Sequence, residues 1–185
     1  IMYITEVINW DETTCLNSIQ SNVEFKIVTV ECILKISCND PQSKSRFHFN
    51  GRIDRIDKIG ETYRIIDYKS SVNEQVKMQP LQELVCDPKY QKTFQLLWYA
   101  WMVSKHFNIP PELITPALLD IKQMKLFPIL NANKEPLCIH TDLLQEFESL
   151  VLEQCRALKA PDFEYIATED ENQCEFCPYT SICQR

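Results

Sequence analysis

The chain contains only two glycines, Gly51 and Gly60, among 185 residues. At the usual frequency of ~7 %, a chain of this length would carry roughly 13. A dinucleotide-binding fingerprint or a phosphate-binding loop needs two or three glycines at fixed offsets, because the backbone must approach a phosphate closely or adopt a positive φ. Neither motif can be assembled here, so nucleotide-binding folds of these kinds are excluded.

Long apolar runs are also lacking. No stretch approaches the ~18 to 20 residues that a membrane span requires, and no signal-peptide pattern opens the chain. We therefore expect no membrane partner. With 45 % hydrophobic and 24 % charged residues, the composition is typical of a globular domain with a real core. Because the first residue is Ile1 rather than Met, we expect a fragment of a longer protein.

Positive charge is scarce, with 19 basic residues against 26 acidic ones and a net charge of −7. This acidity argues against a free-standing, non-specific nucleic-acid binder. Residues 42–70 nevertheless hold seven basic and four acidic residues, so this segment can face a polyanion locally. Six of the nine cysteines are scattered singly, as is typical of reduced thiols in a cytosolic protein: Cys15, Cys32, Cys38, Cys86, Cys138 and Cys155.

Hydrophobic periodicity predicts a mixed α/β or α+β domain. We expect residues 1–22 to be helical or irregular, and the alternation that begins at Val23 to form one long strand with a bulge near Val28. Asp142 and Gln145 are expected to cap the last helix as a capping box. The remaining predicted elements are strands at 46–57, 62–70, 114–123, 126–130 and 136–140, and a helix at 93–107 that ends at Asn108.

The two glycines lie in the predicted hairpin of strands 46–57 and 62–70. If Gly60 and Glu61 form a two-residue loop, with Gly60 at positive φ, the numbers of facing residues sum to 121. Asp54 then faces Asp67, with Cβ atoms ~4.5–5.5 Å apart. Lys69 shares the face of Asp67, because side chains alternate along a strand.

Two carboxylates forced together repel each other, and a divalent cation resolves the conflict. Asp54 and Asp67 would supply hard oxygen ligands suited to Mg²⁺ or Mn²⁺. Lys69 can orient a water molecule or stabilise negative charge on a phosphorane-like transition state. This set describes phosphodiester hydrolysis. A cross-strand salt-bridge ladder that includes Arg52 is the structural alternative.

Two longer runs resemble a known family. FNGRIDRIDKIGETYRIIDYKS at 49–70, followed by QLLWYA at 95–100, resembles the RecB-type branch of the PD-(D/E)XK nuclease superfamily. Its motifs are G-x-x-D, D-Y-K-[ST] and Q-x-x-x-Y. The resemblance implies a restriction-endonuclease-like core, with a mixed central sheet flanked by helices, and a nuclease domain over 23–185 that follows an N-terminal remnant at 1–22.

The same resemblance assigns roles to individual residues. Asp54 and Asp67 would bind the catalytic metal, with the backbone carbonyl of Tyr68 as a further ligand, and Lys69 would be the catalytic lysine. The residues that match the family's helix motif would support the active site or contact DNA: Gln95 and Tyr99. A polar pair at the rim of a core helix is the alternative for these two.

The remaining three cysteines, Cys174, Cys177 and Cys183, stand at C-x2-C-x5-C spacing, which is typical of zinc or iron–sulfur sites. The cluster resembles that of AddB-type helicase-nuclease subunits, in which an upstream cysteine completes a [4Fe–4S] cluster. The resemblance implies that the fourth ligand lies in an upstream segment outside this chain, and Cys15 is the only N-terminal stand-in. Three unligated thiols in a small hairpin are the alternative.

One family feature is not identified in the sequence. Relatives carry a histidine or an acid on a helix before the first strand, and none of His48, His106 and His140 occupies that place. Glu24 matches a glutamate common at the start of the first strand in relatives, although an exposed strand acid explains it equally well.

The resemblance implies a metal-dependent DNA exonuclease domain of a RecB/AddB-like helicase-nuclease, acting in double-strand break repair in the bacterial cytoplasm. A helicase domain or partner subunit would deliver single-stranded DNA, and we expect the isolated fragment to have weak activity or none. Two alternatives stay open. One is a catalytically silent nuclease-fold module that binds DNA or a partner, and the other is a stand-alone iron–sulfur nuclease of the CRISPR-adaptation kind.

Overall fold

A computed structural model describes residues 2–163, 168, 174–175 and 177–180. Two short 3₁₀ turns, Pro88–Tyr90 and Pro111–Leu113, join longer elements. Those elements are, in chain order, α1 (Met2–Gln20), β1 (Phe25–Asn39), β2 (Arg46–Ile59), β3 (Thr62–Lys69), α2 (Leu81–Cys86), α3 (Gln91–Phe107), β4 (Ile114–Asp120), β5 (Lys125–Pro128) and α4 (Thr141–Lys159).

The five strands form one mixed sheet in the order β1-β2-β3-β4-β5. β1, β2 and β3 are antiparallel neighbours, β3 and β4 are parallel, and β5 returns antiparallel to β4. The connection between the parallel strands contains α2 and α3, because parallel strands need a long crossover. The predicted mixed α+β class, with a central sheet flanked by helices, is confirmed.

The β2–β3 hairpin has the predicted register. Ile59 pairs with Thr62 and Arg55 pairs with Ile66, and both pairs obey the expected sum. Gly60 has a φ of +57°, so the residue that tolerates this conformation occupies the turn. The register between β1 and β2 shifts between residues 27 and 29, which confirms the predicted bulge.

Two local predictions near the last helix are wrong. Residues 136–140 form no strand; within the described residues this segment has only an isolated bridge between Leu130 and Pro136. The capping box is absent because α4 begins at Thr141, and its preceding residue makes no side-chain cap. Instead, the N–H and hydroxyl of Thr141 donate to Glu112 at 3.1 and 3.2 Å, so a partner from a distant turn caps this helix.

The helices cover both faces of the sheet. Asp67 of β3 contacts Gln95 of α3, whereas its neighbour Tyr68 contacts Arg55, which binds Asp11 of α1. Because neighbouring strand residues point to opposite faces, α1 and α3 lie on opposite sides of β3. No helix among the described residues combines the length and hydropathy needed to cross a bilayer.

A buried carboxylate at the end of β4 stabilises the chain just after β3. Asp120 is fully buried and accepts hydrogen bonds from the backbone N–H of Val72 at 2.7 Å and from those of Lys122 and Gln123 at 2.9 Å. The hydrogen bond from Val72 lowers the pKa of Asp120, and burial raises it. The hydrogen bond has the larger effect, so the pKa lies below its ordinary value of 3.8. The bond from Val72 joins the segment that follows Lys69 to the neighbouring strand.

We predict that Asp120→Asn lowers stability at neutral pH more than in acid. A depressed folded-state pKa means that the stabilisation is present above the unfolded-state pKa and is lost as the pH falls through the folded-state pKa. The difference in unfolding free energy between wild type and Asp120→Asn should therefore shrink below pH ~3.8. Urea unfolding of both proteins at pH 7 and at pH 3 measures it, and a difference that is constant with pH contradicts the prediction.

Candidate active site

The β2–β3 ladder ends where the candidate site begins. Its last backbone pair is Arg55 with Ile66, one step before the predicted opposition of Asp54 and Asp67. There, Oδ2 of Asp54 accepts a hydrogen bond of 2.8 Å from the backbone N–H of Tyr68. A side chain thus takes the place of a backbone partner, and the carboxylate of Asp54 is fixed against β3.

Asp67 lies at the centre of the site and is only 4 % exposed. Its Oδ2 is 2.8 Å from Nζ of Lys69, and its Oδ1 accepts a hydrogen bond of 3.2 Å from Nε2 of Gln95. Burial raises the pKa of the Asp67 carboxyl; the ion pair with Lys69 opposes this rise, and the negative charge of Asp54 adds to it. Because Asp54 bonds to the backbone N–H of Tyr68, the residue after Asp67, the two predicted carboxylates lie at the same end of the hairpin.

The two predicted residues on α3, Gln95 and Tyr99, lie next to the Asp67 carboxylate, to which Gln95 donates directly. Nε2 of Gln95 also contacts the hydroxyl of Tyr99 at 3.0 Å, since residues four apart share a helix face. Burial raises the pKa of Tyr99, so its hydroxyl stays protonated at neutral pH. This geometry is consistent with a role for Gln95 and Tyr99 in positioning the Asp67 carboxylate. A direct DNA contact by either residue stays a prediction.

The carboxylates fit a divalent cation that retains water ligands. Oδ2 of Asp67 is buried without a well-aligned hydrogen bond, although the Lys69 ammonium is close, so one oxygen has a free lone pair. Among the described residues, no three His, Cys, Asp or Glu side chains converge. Mg²⁺ commonly binds through one or two carboxylates and keeps several waters. The carbonyl of Tyr68 as a further ligand stays a prediction.

The cysteine cluster is described only in part. The N–H of Cys177 donates to the carbonyl of Cys174 at 3.1 Å, which forms a turn between them. Cys183 lies outside the described residues. Cys15 is exposed on α1. A metal at this cluster stays a prediction.

The other candidates lie away from the carboxylates. Glu24 is exposed, and its backbone carbonyl accepts from Gly60, at the turn of the hairpin rather than at Asp54. The three histidines contact other groups: His48 with Ser37 at 2.8 Å, His106 with the Lys35 carbonyl at 3.2 Å and His140 with Cys138 at 3.9 Å.

A buried ionic network, on the sheet face opposite the candidate site, was not predicted from the sequence. Arg55 is 2 % exposed and donates to Asp57 at 2.6 Å and to both oxygens of Asp11 at 2.9 and 2.7 Å. Arg64 donates to the second oxygen of Asp57 at 2.6 Å. The ring of Trp10 lies under both guanidinium groups, with its centroid 5.6 Å from Arg55 and 4.7 Å from Arg64.

This network joins α1 to the strands that carry the candidate site. Burial alone would lower the pKa of Arg55, but hydrogen bonds to Asp11 and Asp57 outweigh it and raise the pKa. Arg55 directly follows Asp54 in the sequence. Its Nη1 lies 3.4 Å from the hydroxyl of Tyr68, and Tyr68 is the residue between Asp67 and Lys69. Part of this network could have been predicted from the sequence, because the predicted hairpin register places Asp57 opposite Arg64.

Comparison with known proteins places the chain in a family. The model of the PD-(D/E)XK nuclease superfamily matches residues 12–184. No curated protein matches the chain. A solved structure titled "Crystal structure of SSO0001" is 17 % identical, with 97 % of this chain and 67 % of that chain covered, at a TM-score of 0.41. Because the superfamily match runs from α1 to the terminal cysteines, the chain belongs to the PD-(D/E)XK nuclease superfamily.

Proposed function

We propose that the chain is a metal-dependent deoxyribonuclease domain that hydrolyses phosphodiester bonds as an exonuclease. Membership of the superfamily supports nuclease activity with a divalent metal ion. The observation that carries the proposal is the buried carboxylate of Asp67, which has Lys69 at 2.8 Å and Gln95 at 3.2 Å and lies beside Asp54. Such a cluster is unfavourable for stability alone, because burial opposes the charge of Asp67.

Each residue has a chemical role in this proposal. Asp54 and Asp67 would hold Mg²⁺ or Mn²⁺, with the backbone carbonyl of Tyr68, and this ion would polarise the phosphate and lower the pKa of a bound water. The positively charged ammonium group of Lys69 would lie where negative charge develops in the transition state and stabilise it. Gln95 fixes the orientation of the Asp67 carboxylate through its hydrogen bond.

We place this domain in a RecB/AddB-like helicase-nuclease of the bacterial cytoplasm that acts in double-strand break repair and recombination. A helicase domain or partner subunit would deliver single-stranded DNA. Such a partner would cover apolar side chains that α1 and β1 leave exposed. Ile4, Ile19 and Ile33 are 65, 70 and 63 % exposed.

The terminal cysteines belong to the same proposal. Cys174 and Cys177 would bind a [4Fe–4S] cluster or zinc together with Cys183 and a fourth cysteine outside this chain. The C-x2-C spacing of the first two supports this, because it is typical of thiolate metal sites. A stand-alone iron–sulfur nuclease of the CRISPR-adaptation kind would carry the same residues and is the alternative context.

Calorimetric titration with Mn²⁺, paired with an oligonucleotide cleavage assay, tests the proposed function. We expect one Mn²⁺ to bind, Asp54→Asn to weaken this binding at least ~10-fold, and EDTA to stop cleavage. Glu24→Gln, an exposed acid at the far end of the hairpin, is the matched control and should leave both unchanged. If the wild-type protein neither binds Mn²⁺ nor cleaves DNA, the result would favour the catalytically silent module. In such a module, Lys69 would serve only to neutralise Asp67 through their ion pair.

A further inference from the structure

An open groove adjoins the candidate active site between α3 and the strands β2 and β3. Its volume is about 690 Å³, within the roughly 300–1,000 Å³ of typical ligand sites. Lys69 and Gln95 line it, and both also contact Asp67. The groove is therefore continuous with the carboxylate pair.

Aromatic rings form one wall of this groove. Phe94 and Trp98 lie four residues apart on α3 and stack, with ring centroids 5.9 Å apart and an interplanar angle of 29°. Phe49 and Trp101 contact Trp98 edge-on at 5.5 and 5.3 Å. Trp98 is thus held rigidly yet stays partly exposed, so a further ring can stack on it at little entropic cost.

Gly51 allows α3 to approach β2 at this point. A Cβ atom on Gly51 would lie 2.8 Å from Sδ of Met102 and 3.3 Å from Nε1 of Trp98. A side chain at this position would displace the Met102 thioether and crowd the indole. Gly51 therefore leaves room for the aromatic wall against β2.

Charge separates this groove from the rest of the surface. The chain has a net charge of −7, but the groove is lined by three cations, Arg52, Lys69 and Lys92, and by no acidic residue. Two of these cations have acidic partners beyond the lining, Glu31 for Arg52 and Asp67 for Lys69. Core packing explains rings that are partly buried. It does not explain why an acidic protein gathers cations beside these rings and next to a candidate phosphodiester site.

We propose that this groove binds one unpaired DNA nucleotide, whose base stacks on Trp98 and Phe94 while its phosphates contact Arg52 and Lys92. The inference rests on the proposed nuclease function and deepens it, because it names the side chains that would select the single-stranded DNA of that proposal over duplex DNA. In a duplex, neighbouring bases already cover both faces of each base. Base stacking on an aromatic side chain changes affinity by about 10- to 100-fold.

Fluorescence anisotropy with a labelled single-stranded oligodeoxynucleotide tests this inference. The measurement is made in EDTA, where metal-dependent cleavage is suppressed, and a single abasic site is placed at each position in turn. We expect one abasic position to weaken wild-type binding about 10-fold. Trp98→Leu should weaken binding to the intact strand by a similar factor and become insensitive to that abasic site, because base and ring act as one pair.

The matched control is Phe107→Leu, an exposed residue (41 %) at the far end of α3, which should behave as wild type. Lys92→Gln, which leaves the aromatic packing intact, should lower affinity and reduce the salt slope by about 0.7, whereas Lys26→Gln on β1 should do neither. The inference is wrong if Trp98→Leu or Lys92→Gln binds like wild type, if no abasic position matters, or if duplex binds as tightly. Cleavage that still depends on Lys69 would then leave the proposed function standing.

Discussion

Replacement of Lys69 by methionine should lower the rate of DNA cleavage by about 10²- to 10³-fold without weakening Mn²⁺ binding. The Lys69 ammonium lies 2.8 Å from Oδ2 of Asp67, so it is placed to stabilise charge in the transition state but repels a cation bound to the carboxylate. Asp67→Asn should instead reduce both cleavage and Mn²⁺ affinity, each by more than about 10-fold. Single-turnover rates at saturating metal, together with calorimetry, separate the two effects.

Lys58→Met provides the matched control for this prediction. The side chain of Lys58 is 30 % exposed and pairs with Glu61 at 3.6 Å, and the side chain of Lys69 is 32 % exposed. The two substitutions therefore remove the same group from similar surroundings on the same hairpin. Full activity of Lys69→Met, or an equal loss of activity in Lys58→Met, would contradict the catalytic assignment.

The hairpin that carries the site was predictable because its information is local. Gly60 permits the turn, and turn length fixes the register, so residues as far apart as Arg55 and Ile66 pair as expected. The α3 helix was predictable for the same reason, since apolar spacing and Asn108, with a φ of 54°, mark its face and its end.

Interactions between distant segments were not predictable from these patterns. Thr141 is capped by Glu112, which lies 29 positions earlier in the chain, so no local motif announces it. Asp54 binds a backbone N–H beyond the last ladder pair, and the alternation of side chains along a strand does not predict such a bond. The binding of Asp11 to Arg55 likewise depends on where α1 docks.

Arg55→Met should lower the free energy of unfolding by about 3–5 kcal/mol, because it leaves a buried charge without one of its partners. Arg55 is 2 % exposed, and the Asp57 that it binds is fully buried. Arg64 still pairs with Asp57 at 2.6 Å, which places the expected loss near the lower end of this range. Urea denaturation followed by circular dichroism measures the change.

The same substitution at Arg52, three residues earlier on β2, isolates the effect of burial. Arg52 pairs with Glu31, and the side chains are 67 and 56 % exposed, so Arg52→Met should cost about 0–1 kcal/mol. The double variant Arg55→Met/Asp11→Leu should recover part of the loss, because it also removes the carboxylate whose two oxygens Arg55 binds and leaves Asp57 paired with Arg64. Equal losses at Arg52 and Arg55 would show that the network does not hold α1 to the strands of the candidate site, and the position of Asp54 would then rest on the hairpin alone.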